Sequence, residues 1–117
     1  MEVYTLENCI FCKIINGEIP SNKVYEDELI LAFKDINPVA SVHILVIPKK
    51  HYEAIIDIPD DEMEIVAHIH KVINKIADDM NFKENGFRIV NNCGKDAGQE
   101  VKHIHYHIIG GKTLNWP

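Results

Sequence analysis

The chain has 117 residues, 46% of them hydrophobic, enough for a single domain over residues 1–117 with one core. Its net charge of −6 with neutral histidines argues against polymeric nucleic acid as a partner, because a phosphate backbone is bound by clustered Lys and Arg. No apolar run approaches the ~20 residues of a membrane span, the opening "MEVYTLENCIFCKIING" lacks the basic region of a secretory signal, and an odd three cysteines without such a signal fit a reducing cytoplasmic setting.

In chain order, "NCIFCKIINGEIPS" reads as a short helix that stops near Gly17, with Pro20 beyond it. "KVYEDELILAF" reads as two strands joined by a tight turn around Glu26 and Asp27. "DINPVA" is a loop, since Asn37 and Pro38 are turn chemistry. "SVHILVIP" is apolar and β-branched over strand length, which predicts a central strand. "PDDEMEIVAHIHKVINKIADDM" predicts the one long helix, capped by Asp60 or Asp61, with Met63, Val66, Ile69, Ile73, Ile76 and Met80 on its inner face. "GFRIVNN" and "VKHIHYHII" read as two further strands, separated by the loop "CGKDAGQE" with its two glycines. Hairpins, one long helix and then strands again predict an α+β fold with a mostly antiparallel sheet.

"HIHYH" sets three of the chain's seven histidines at alternate positions. On a strand His103, His105 and His107 then share one face, and Lys102, Ile104, Tyr106 and Ile108 share the other, which packs under the helix. Same-face neighbours are ~6.6 Å apart and the outer pair ~13 Å, so three histidines of one strand cannot surround one ion. A division of labour is the better reading. The preceding loop fits a ligand: Gly94 and Gly98 allow positive φ or close backbone approach, its N–H groups are potential anion donors, and Asn92 and Gln99 add neutral hydrogen bonds. The plain alternatives are a half-exposed strand that happens to carry histidines and an ordinary connecting loop.

"HIHYHII" resembles the His-x-His-x-His-x-x signature of the histidine-triad superfamily. Together with "AFKDINPVASVHILVIPKKH", "GFRIVNNCGKDAGQEVKHIHYHIIGGK" and the terminal "NWP", nearly the whole chain is similar to the Hint branch, the nucleotide phosphoramidases. The resemblance implies a homodimer, a five-stranded antiparallel sheet per subunit, and binding of purine nucleoside monophosphates. It also implies cleavage of the bond between phosphorus and an amine or acyl group. By motif, His105 is the position of the nucleophile that forms a nucleotidyl-imidazole. His107 matches a phosphate-contacting position and His43 the fourth histidine that completes the site. Asp35 matches the acid that binds the ribose hydroxyls. Asn92, Gly98 and Gln99 match the phosphate loop, and Phe33 and Ile36 the apolar walls around the base. Glu100 departs from the pattern: many eukaryotic members carry a serine there that helps handle the leaving group, so Glu100 bears on leaving-group preference.

Cys9 and Cys12 form C-x-x-C, a weak signal alone, and a structural zinc needs about four ligands. Relatives in the superfamily that look similar here join such a pair to a histidine after the "IP-x-x-H" strand and to the first triad histidine. The resemblance thus implies a structural zinc on Cys9, Cys12, His51 and His103. The alternative is a pair of buried thiols, with His103 orienting His105 from behind. His68 and His70, two apart on the helix, read as surface histidines, and Cys93 has no assigned role. The leading functional reading is a hydrolase. Its alternatives are a nucleotide-binding or zinc-stabilised interaction module with vestigial activity, and a dinucleoside polyphosphate hydrolase.

Overall fold

A computed structural model describes residue 6 and residues 8–116; Pro117 and residues 1–5 and 7 of the stretch read against a secretory signal lie outside the described residues. A short helix α1 (Ile10–Ile15) is followed by strands β1 (Lys23–Glu26), β2 (Ile30–Lys34) and β3 (Val42–Pro48). The long helix α2 (Glu64–Asp79) and strands β4 (Phe87–Asn91) and β5 (Tyr106–Gly110) complete the chain. The strands form one antiparallel sheet in the order β1-β2-β3-β5-β4, so β3 is central, as the unbroken apolar run of "SVHILVIP" implied, and the fold is α+β.

Local chemistry sets the turns. The Asp27 carboxylate accepts from the N–H groups of Leu29 and Ile30 at 2.7 and 2.8 Å, which closes the β1–β2 hairpin. Gly17, at φ +79°, stops α1 in a conformation that costs glycine nothing.

Both faces of the sheet are covered. One face carries Ile30, Ala32, Ile44, Val46, Tyr106 and Ile108 against Ile69, Val72, Ile73 and Ile76 of α2. The other carries Leu31, Phe33, Leu45 and Ile47 against Phe11, Cys12 and Ile14 of α1. That is why β2 and the middle of β3 show no polar alternation: neither face reaches water.

Three expectations need correction. Neither Asp60 nor Asp61 caps α2: Asp60–Glu62 forms a 3₁₀ turn, and Met63 is the N-cap without a side-chain bond. The Glu62 carboxylate is drawn back to Lys50 and Tyr52, at 2.7 and 2.5 Å. Met63 and Met80 are exposed, while Val72 and Ala77 join the buried stripe. The triad does not lie on one strand either. β5 starts at Tyr106, because Ile104 N–H is taken by the Tyr52 carbonyl at 2.9 Å and Asn91 Nδ2 donates to the His105 carbonyl at 3.1 Å. The alternation survives nonetheless, with Ile104, Tyr106 and Ile108 in the α2-side core.

Candidate active site

His105 is buried on the α1 side of the sheet, its ring 5.1 Å from that of Phe11 and 5.2 Å from that of His107. Its Nδ1–H donates to the backbone carbonyl of His103 at 2.8 Å. The proton is therefore held on Nδ1, and Nε2 keeps its lone pair.

The register of β2, β3 and β5 assembles the next three groups. Leu45 lies opposite His107, so His43, two residues earlier on β3, shares its face. Asp35 follows β2 and its N–H bonds to the His43 carbonyl at 3.0 Å. The Val39 N–H donates to His43 Nδ1 at 3.1 Å, which leaves the His43 proton on Nε2. That Nε2–H then donates to His107 Nδ1, 2.9 Å away, with the Asp35 carboxylate at 3.4 Å adding electrostatic support. His107, accepting at Nδ1, carries its own proton on Nε2. Burial, with the neighbouring His105 and His43, holds His107 below the usual imidazole range, against the opposing pull of Asp35. Asp35, His43 and His107 are close enough to suggest a metal site, but the Val39 bond makes His43 Nε2 a donor rather than a ligand. The pair His105 and His107 thus offers one bare nitrogen and one N–H.

A cavity of about 410 Å³ opens beside these two rings. Phe33, Asp35, Ile36, Asn92, Gly98 and Glu100, all singled out in the sequence, line it. Phe33 is buried, Ile36 is 89% exposed at the rim, and Glu100 is exposed. Ile10, Phe11 and Ile14 form a further apolar wall that the sequence analysis did not assign to the site. Their placement between and after two candidate metal ligands was the available signal.

Gln99 differs from expectation. Its side chain donates to the carbonyls of Glu53 and Val101 at 2.6 and 3.0 Å and accepts from Gly94 N–H at 2.8 Å, so it braces the loop and does not line the cavity. The N–H groups of Gly98 and Gln99 bond to the Lys95 and Gly94 carbonyls across a 3₁₀ turn. Those amides, with that of Gly94, are spent inside the loop rather than offered to an anion. Gly98 is needed for its φ of +78°.

Behind His105 lies a second cluster. His103 Nδ1 is 3.4 and 3.5 Å from the sulfurs of Cys9 and Cys12 and 3.1 Å from His51 Nδ1, which is 3.3 Å from Cys12 Sγ. His103 Nε2–H donates to the Pro48 carbonyl at 2.8 Å, which leaves Nδ1 bare and aimed at the cluster. Burial holds His103 down to about 4, and hence neutral, although the Pro48 carbonyl opposes the shift. Two thiols and two imidazoles in one place are a donor set for a soft or borderline cation. Tetrahedral zinc, with Zn–S of ~2.3 Å and Zn–N of ~2.0–2.1 Å, has donor-to-donor edges of roughly 3.3–3.8 Å, close to the spacings here. The cluster is compatible with a metal site.

On the helix, His68 is half-buried and bonds to the Asp27 carboxylate at 2.7 Å, while exposed His70 lies edge-on to Tyr106. Among the described residues no helix is long and apolar enough to cross a membrane.

Comparison with known proteins agrees over most of the chain. The HIT domain family matches residues 16–114. An HIT-like protein of Methanocaldococcus jannaschii is 54% identical over 102 residues, 86% of this chain and 77% of that one. The structure of a histidine triad protein from Clostridium difficile superposes with a TM-score of 0.94 at 66% identity, covering 97% of this chain and 99% of that one. The structure of an HIT family hydrolase from Legionella pneumophila gives a TM-score of 0.91 at 49% identity, covering 94% and 98%.

Proposed function

Because the chain belongs to the HIT domain family, we propose that it is a purine nucleotide-binding hydrolase of the Hint type. It cleaves the P–N bond, or the acyl–phosphate bond, of nucleoside 5′-monophosphate derivatives. The observation that carries the reading is the bare Nε2 of His105 on the wall of an apolar cavity, with its other nitrogen tied to the His103 carbonyl. The similarity to an HIT family hydrolase from Legionella pneumophila agrees with it.

In this reading the base lies between Phe11, Phe33 and Ile36, and the Asp35 carboxylate accepts from the ribose hydroxyls. His105 Nε2 donates its lone pair to the α-phosphorus while the P–N electron pair leaves with the nitrogen, which takes a proton from solvent and departs as the neutral amine. The Nε2–H of His107 faces the phosphate oxygens, and Glu100 on the cavity wall orients the departing amine. The nucleotidyl-imidazolium keeps its proton on Nδ1, where the His103 carbonyl stabilises the positive charge. Water then attacks the phosphorus, the P–Nε2 pair returns to His105, and the water proton passes to solvent. Neutral imidazole is a good nucleophile near neutral pH, which suits this cycle.

In the same reading Cys9, Cys12, His51 and His103 hold one structural zinc. Four protein ligands leave no open position for substrate, so zinc there cross-links segments and takes no part in the reaction. Burial pushes the Cys12 thiol up to about 11, and a cation is what would bring it to the thiolate form at neutral pH. The protein is further read as a homodimer joined at β4, an outer strand with exposed Ile89, and as cytoplasmic, in keeping with free thiols at Cys9, Cys12 and Cys93.

The test is turnover of adenosine 5′-phosphoramidate beside a diadenosine polyphosphate, by wild type and His105→Ala. Phosphoramidate hydrolysis lost in the variant supports the reading. Preferred cleavage of the polyphosphate would move the protein to the other hydrolase class.

A further inference from the structure

The candidate metal cluster and the nucleotide cavity are separate places, yet they share parts. Phe11 stands between Cys9 and Cys12 in the first turn of α1, so any ligation of those sulfurs fixes its backbone. Its ring meets Phe33 at 5.9 Å, His105 at 5.1 Å and His103 at 5.8 Å, each edge-on, and it lines the cavity. Ile10 and Ile14 on the same short helix line it too. His103 is the second shared part. Its ring nitrogen points into the cluster while its backbone carbonyl accepts the His105 Nδ1 proton.

α1 has six residues, too short to hold itself as a helix in water, and its N-cap is the Cys9 sulfur, which accepts from Cys12 N–H at 3.4 Å. What holds the cavity wall in place is therefore packing of Phe11, Cys12 and Ile14 on the sheet together with whatever fastens the two sulfurs.

We propose that metal occupancy of the Cys9–Cys12–His51–His103 cluster sets the nucleotide affinity of the cavity, through Phe11 and the His103 carbonyl. This rests on the zinc and nucleotide readings above. A cation on the four donors orders α1 before the nucleotide arrives, so the nucleotide no longer meets the cost of ordering that wall. Linkage makes the effect reciprocal: a nucleotide in the cavity tightens the hold on the metal by the same factor.

The experiment measures AMP affinity by calorimetry on zinc-loaded protein and on protein stripped by chelator, with circular dichroism to confirm that the stripped form is folded. The coupling predicts AMP binding at least about fivefold tighter with zinc. A second arm uses only the loaded protein and follows zinc transfer to a colorimetric chelator with and without saturating AMP. AMP should slow that transfer by a similar factor. Phe11→Ala should retain zinc while AMP loses most of its effect on the transfer. Equal transfer rates with and without AMP overturn the coupling, even where the stripped protein unfolds. Loaded protein that binds no AMP overturns the nucleotide reading, and protein that takes no zinc overturns the metal reading; either result removes the coupling as well.

Discussion

The His103 carbonyl accepts the Nδ1 proton of His105 at 2.8 Å, and this one bond decides which nitrogen of His105 can attack. Replacing His105 with Ala removes the nucleophile but leaves the apolar walls and Asp35. Turnover of adenosine 5′-phosphoramidate should fall at least about a thousandfold. AMP affinity measured by calorimetry should change far less. Turnover near the wild-type rate would rule out the covalent route.

His43 donates to His107 because Val39 occupies its other nitrogen. His107 must stay neutral to accept at Nδ1, and it titrates below the usual imidazole range, chiefly through burial. Activity should therefore hold at neutral pH and fall only as acid takes it below ~6.5. His43→Asn removes one of the imidazoles that disfavour a charge on His107, so the acid limb of the kcat/KM profile should move to higher pH. Turnover should also drop by about tenfold or more. An acid limb unchanged by the substitution would show that His107 does not set it.

Glu100 lines the cavity mouth where many eukaryotic relatives are expected to carry serine. If it steers the amine, Glu100→Gln should slow substrates with poorly leaving amines by about tenfold while barely affecting good ones. Comparing kcat/KM across a series of phosphoramidates of graded amine basicity tests this. Equal slowing along the series would leave Glu100 a structural part of the loop.

The shared side of the triad was legible because it follows from periodicity, whereas Asp35, His43, Phe33 and Ile36 were reached only through the family resemblance. Alternate spacing carries His103, His105 and His107 to one side, and the apolar run of β3 marks the sheet centre. What escaped was decided by long-range backbone bonding. Nothing local to "VKHIHYHII" says that the Tyr52 carbonyl and the Asn91 side chain will intercept the backbone and delay β5 to Tyr106. Nor does "CGKDAGQE" disclose that Gln99 will turn inward to Glu53, 46 positions away. The cap of α2 was missed because Asp60 and Asp61 are taken into a 3₁₀ turn that ends just before Met63. Short-range patterns say which face a residue takes; they do not say which distant carbonyl wins its hydrogen bond.

Asp27 links the first hairpin to α2. Burial raises its carboxyl pKa, but bonds from Tyr25, His68 and the N–H groups of Leu29 and Ile30 outweigh that and hold it down at about 2. An unfolded aspartate titrates at ~3.9, so the folded state favours the ionised form. The stability gained is complete above pH ~3.9 and disappears as pH falls through about 2. Asp27→Asn keeps an acceptor for the turn but not the charge. It should cost on the order of 2 kcal/mol in urea unfolding at pH 7, a difference that shrinks towards pH 2. A constant difference across that range would place the cost in packing instead.

The zinc reading makes its own demand on stability. Cys9 caps and Cys12 lies within a six-residue helix, His51 follows β3, and His103 precedes β5, so one ion would close loops between segments up to 94 positions apart. Cross-links over such distances restrict the unfolded chain most strongly. Protein purified without chelator should contain about one zinc per chain by elemental analysis, as four ligands to a single ion require. Cys9→Ser should lower that content and reduce the melting temperature by at least about 5 °C, since ~1 kcal/mol moves a domain of this size by several degrees. His68→Ala, which touches neither sulfur nor cavity, should leave zinc content unchanged. Should Cys9→Ser keep both its zinc and its melting temperature, the cluster would be a pair of buried thiols beside two histidines, and His103 would serve only through its carbonyl.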